Sequence, residues 1–103
     1  MDSEKMIAGL MEVEVHVPAA TSLKGKRGVV KALIAALRNG LNVSVVEIDH
    51  QDLWQRCTLG VAVAASSETG VRQVAQSVEK IVYREPRVEL IRFDLDVIAG
   101  EFS

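Results

Sequence analysis

The chain has 103 residues, 49% of them apolar and 25% charged, with a formal charge of -2. This length suits one domain, and the apolar share excludes intrinsic disorder. The charge balance excludes a globally basic nucleic-acid binder but leaves room for a local basic patch.

Aromatic residues make up only 4% of the chain, so Val, Ile, Leu and Ala must build the core. Cys57 is the single cysteine, so no disulfide can form within the chain and a reducing compartment is expected. No apolar run approaches the ~20 residues of a membrane-spanning helix. The opening Met1-Asp2-Ser3-Glu4-Lys5 is polar and unlike a secretory leader. The expected organisation is a flexible leader over 1–5, a single domain over 6–98 and a tail over 99–103, in a cytoplasmic protein.

From Met6 to Val17 the sequence alternates, with Met11, Val13, Val15 and Val17 on one side and Glu12, Glu14 and His16 on the other. A strand with one core face follows from that period, and Pro18 ends it. Thr21 or Ser22 can cap a helix over about 23–39. Its apolar stripe is Val29, Val30, Leu33, Ile34 and Leu37. Gly40 is expected as a left-handed cap.

A Val-rich strand spans 42–48. A third strand runs from Arg56 to Ala65, with Cys57, Leu59, Val61 and Val63 on its apolar side. Ser66 or Ser67 caps a second helix with the stripe Val71, Val74, Val78, Ile81 and Val82, and Pro86 stops it. The last strand, 88–98, points Ile91, Phe93, Leu95 and Val97 inward and Arg92, Asp94 and Asp96 outward.

The order β-α-β-β-α-β predicts an α+β, ferredoxin-like sandwich. Right-handed crossovers give a four-stranded antiparallel sheet in the order 4-1-3-2, with both helices on one face. The other face is open and is expected to be polar, carrying Glu12, Glu14, His16, Thr58, Arg92, Asp94 and Asp96. An RNA-recognition module of this fold stacks bases on aromatics of its first and third strands, and neither strand here contains Phe, Tyr or Trp. RNA binding of that kind across the sheet is not expected. Carboxylates two apart, as in Glu12 with Glu14, suit acid–base work, but an open face reads better as structural or interface surface.

Two motifs stand out. Lys24, Lys26, Arg27 and Lys31 open the first helix. The macrodipole disfavours cations there, and a bound anion such as an RNA phosphate reverses the sign. The alternative is a solvated cationic turn paired with carboxylates. The spacing is not that of a P-loop, and no Gly-rich dinucleotide fingerprint follows the first strand, so no cofactor is predicted.

The second motif is Asp49-His50-Gln51-Asp52-Leu53-Trp54-Gln55-Arg56, between the second and third strands. It holds the chain's one Trp, which is either a stacking platform for a base or an apolar anchor on the sheet edge. Asp49, His50 and Asp52 lack the spacing of a known metal site, so a loop-ordering or binding role is expected. Arg56 either pairs with Asp49 or Asp52 or contacts a ligand.

Ser22-Leu23-Lys24-Gly25-Lys26-Arg27, Asn42-Val43-Ser44-Val45 and the octapeptide with Leu59-Gly60 resemble the small bacterial YlxP-like proteins. The resemblance runs from Met6 to about Leu95. It implies a ferredoxin-like domain of unknown function with no established catalytic residues. Genes of such proteins often lie among those for translation initiation and ribosome maturation, which implies structured RNA or the ribosome as partner. Gly25 and Gly28 stand where longer polar residues are common in the family. Apart from the resemblance, the edge strand with Val43, Val45, Val46 and Ile48 invites pairing with a second copy, so a homodimer is a further expectation.

Overall fold

A computed structural model describes residues 5–49 and 53–102. Strand β1 spans Ile7–His16. Its alternation puts Met11, Val13 and Val15 under the helices, each almost wholly buried, while Glu12 and His16 face the other way.

Helix α1 spans Leu23–Gly40. Ser22 is its cap: the hydroxyl accepts the Gly25 N–H at 3.0 Å. Gly40 departs from expectation. It is the last helical residue, and the cap is extended Leu41, whose N–H donates to the Leu37 carbonyl. A Cβ at position 40 would stand 3.2 Å from Ile81 Cδ1, so the two helices pass close at this point.

Strands β2 (Ser44–Asp49) and β3 (Arg56–Ala65) follow. Helix α2 spans Glu68–Arg84, with Ser67 as its cap and Glu68 in the first turn, where the dipole favours an acid. Past its end, Glu85 accepts hydrogen bonds from the Arg87 side chain and backbone, which pull its carboxyl down to about 2. Strand β4 spans Glu89–Ala99.

The four strands form one antiparallel sheet in the order β2-β3-β1-β4. The buried cluster lies between one sheet face and both helices: Val30, Leu33 and Leu37 of α1 and Val71, Ala75, Val78 and Val82 of α2 meet the inward residues of the strands. Gly9 belongs to this face. A Cβ there would lie 2.5 Å from Val71 Cγ1, closer than atoms can pack, so only glycine lets α2 approach β1.

Two other expectations are corrected. Ile91 is exposed, not inward, because a register shift opposite Glu14 and Val15 inserts an extra residue into β4. Leu90 and Phe93 reach the core on either side of it. The open face is also less polar than its charges suggest. Leu10, Val46, Ile48 and Ile98 are exposed apolar residues, and Val46 and Ile48 lie over Gly60, where a Cβ would approach them to 3.3 and 3.2 Å.

Candidate functional site

Antiparallel pairing brings the end of β1, the starts of β3 and β4 and the start of α1 to one end of the sheet. His16 lies opposite Arg56 on one side and Glu89 on the other. His16 Nδ1 is 3.6 Å from a Glu89 carboxylate oxygen.

At this end His16, Leu53, Trp54, Gln55 and Arg56 line a recess of about 450 Å³. Trp54 is 52% exposed, and its indole forms a wall of the recess. Gln55 fixes that wall. Its Nε2 faces the Pro18 and Ala20 carbonyls at 3.3 and 3.4 Å, and its own carbonyl accepts the Val17 N–H at 2.8 Å. The β1–α1 connection and the Trp54 turn are thus joined by three hydrogen bonds.

Arg56 pairs across the sheet with Glu14, not with Asp49. Glu14 is nearly buried and also receives Arg92 Nε at 3.4 Å. Arg92 reaches Glu12 at 3.1 Å and pairs with Asp94 as well. Asp94 and then Glu12 hold its guanidinium above the usual range. Asp49 stands exposed at the end of β2. His50 and Asp52 lie outside the described residues.

The four cations of α1 separate into two kinds. Lys24, Arg27 and Lys31 are exposed, and α1 has no acidic residue in its first turn. Lys26 is 1% exposed and cannot meet an external anion, which corrects its expected place among them. Its ammonium lies 3.3 Å from the Arg56 carbonyl and 3.5 Å from a Glu47 carboxylate oxygen. Helical spacing explains this, because Lys26 precedes Val30, Leu33 and Leu37 on the buried stripe.

Cys57 lies beside the same pair. Burial first, and then the Glu47 carboxylate, push its thiol up to about 12, with Lys26 acting in the opposite direction. A thiol held protonated is a poor nucleophile. Among the described residues, no three His, Cys, Asp or Glu side chains are grouped to hold a metal ion. No helix among them is long and apolar enough to cross a membrane.

Sequence reasoning missed the buried roles of Glu14 and Lys26 and the inward-facing, partly buried Glu47. The signal for Glu47 was present: it shares strand parity with Val45, and so faces the helices.

The fold and its charged end define a small α+β domain of ferredoxin type. A de novo designed protein with a ferredoxin fold, known from solution NMR, superposes with a TM-score of 0.51 at 14% identity, covering 92% of this chain and 86% of that one. Residues 8–95 match the family described as "Protein of unknown function (DUF503)", and the chain belongs to that family. It is 37% identical over 81 residues to the "Uncharacterized protein YlxP" of Bacillus subtilis (strain 168), covering 79% of this chain and 88% of that protein.

Proposed function

We propose that the protein is a non-enzymatic module of the cytoplasm that holds structured RNA, free or within the ribosome, by its phosphate backbone. The observation that carries this reading is the exposure of Lys24 and Arg27 in the first turns of a helix that starts without acids, with Lys31 a turn further on, at the same end of the sheet as a recess walled by an exposed indole. Backbone N–H groups and cations there favour the same anion. The buried, protonated Cys57 thiol supports a binding role over nucleophilic chemistry.

Titration with structured ribosomal RNA at several salt concentrations tests it. Affinity is expected to fall as salt rises, with a log–log slope on the order of -3 for three phosphate contacts. Lys24→Glu with Arg27→Glu is expected to weaken binding and flatten that slope. Equal affinity of this variant and the parent overturns the reading.

A second reading is favoured by the apolar part of the open face. Leu10, Val46 and Ile48 are exposed there around a shallow groove floored by Gly60 and Ala62. A second copy related by a two-fold axis covers like with like, which fits a patch that is its own complement. The edge of β2 suits pairing less well, because Arg38 Nη2 already donates to the Val45 carbonyl at 2.8 Å. Sedimentation at micromolar concentration is expected to show a dimer that Val46→Lys dissociates; a parent that stays monomeric overturns this second reading.

A further inference from the structure

We propose that the recess beside Trp54 receives one unpaired purine base from a strand whose phosphates lie along the start of α1. This rests on the reading of the protein as an RNA-binding module. It adds a base-binding site to what is otherwise a backbone contact.

The charges around the recess decide between base and phosphate. Arg56 is engaged by the nearly buried Glu14, and His16 faces Glu89. A phosphate seated in the recess would have to compete with both carboxylates. A neutral, planar group does not, and the lining offers it the face of the Trp54 indole. Lys24, Arg27 and Lys31, which have no carboxylate partner among the described residues, are outside the recess, on α1.

The apolar lining points the same way. Trp54 and Leu53 are both about half exposed, with no other part of the described chain covering them. The volume of about 450 Å³ lies within the range of small-molecule sites and admits a single base with its sugar. An indole binds bases by stacking with little regard to sequence, and the larger π-face of a purine stacks more strongly.

The site also resolves the missing aromatics of the open face. β1 and β3 carry none, so base stacking across the sheet is not expected. The one indole stands at the sheet's end instead, where Gln55 holds its turn against the β1–α1 connection.

Trp54 is the only Trp of the chain, so its fluorescence reports this site alone. Titration of the full chain with a six-nucleotide oligoadenylate is expected to quench that emission saturably. An abasic ribose-phosphate strand of the same length is expected to leave it unchanged. With a labelled oligoadenylate followed by anisotropy, Trp54→Ala is expected to weaken binding about tenfold without changing the salt slope, and Trp54→Phe to restore most of the affinity. A urea midpoint for Trp54→Ala equal to the parent's confirms that the loss is local.

Equal binding of the abasic strand and oligoadenylate, or undiminished affinity of folded Trp54→Ala, overturns the proposal. Salt-dependent binding of structured RNA then survives as a separate finding. Saturable quenching by oligoadenylate without any binding of structured ribosomal RNA supports the base site and removes the broader reading.

Discussion

On the helix-covered face of the sheet, Lys26 and Glu47 meet at 3.5 Å among Val and Leu side chains. On the open face, Arg56, Glu14, Arg92, Glu12 and Asp94 form a chain of contacts whose arginines are 40–45% exposed. The partners are of the same chemical types, and only the surroundings differ. A charge taken from water must be matched by its partner, whereas one left in water is already solvated. The covered face is therefore sensitive to single changes, whereas the exposed arginines and outer carboxylates of the open face tolerate them.

The largest test of this contrast is Lys26→Met. Removing one member of a buried pair costs about 3–5 kcal/mol, and the lower end applies here because Glu47 remains 24% exposed. Urea denaturation is expected to show that loss, and Lys26→Met with Glu47→Leu is expected to recover most of it. A near-neutral single variant breaks the comparison.

Alkaline pH probes the same cluster through Cys57. Its folded thiol is raised from 9.0 to about 12, so its contribution to stability is complete below the unfolded value and is lost as pH rises from about 9 toward 12. Thermal melts over that window are expected to fall more steeply for the parent than for Cys57→Ala.

Two glycines sharpen the contrast further. Gly9→Ala drives a methyl against the stiff, buried Val71 and is expected to cost about 1–3 kcal/mol. Gly60→Ala meets only the exposed side chains of Val46 and Ile48, which can move aside, so its urea midpoint is expected to stay close to the parent's.

The smallest effect is expected for Arg92→Ala, a urea midpoint close to the parent's that moves closer still at high salt. A salt-insensitive loss of several kcal/mol would show that the open-face chain is as dry as the covered pair.

Much of the fold was legible because period-2 and period-3.6 patterns record which side of each element is dry. Ser22, Ser67 and Pro86 marked ends by hydrogen-bond chemistry that any sequence displays. What escaped was the effect of one element on another. Ile91 fits the alternation of β4, and only pairing with β1 inserts the extra residue that turns it outward. Gly40 resembles a helix cap until Ile81 of α2 is placed against it.

The candidate site was partly legible. Trp54 and Arg56 were singled out by residue type, and both line the recess. Lys26 was grouped with its charged neighbours, although it continues the Val30, Leu33 and Leu37 stripe one turn earlier. Its charge suggests the surface, while its periodicity places it inside. Glu14 was assigned to an open face, and it is two flanking arginines that cover it.

The hydrogen bonds from Gln55 to Pro18 and Ala20, and from Val17 to Gln55, have a thermodynamic consequence. They fix the Trp54 turn during folding, so its conformational entropy is surrendered before any visitor arrives. A base stacked on that wall, as proposed, would therefore meet a turn whose backbone is already ordered.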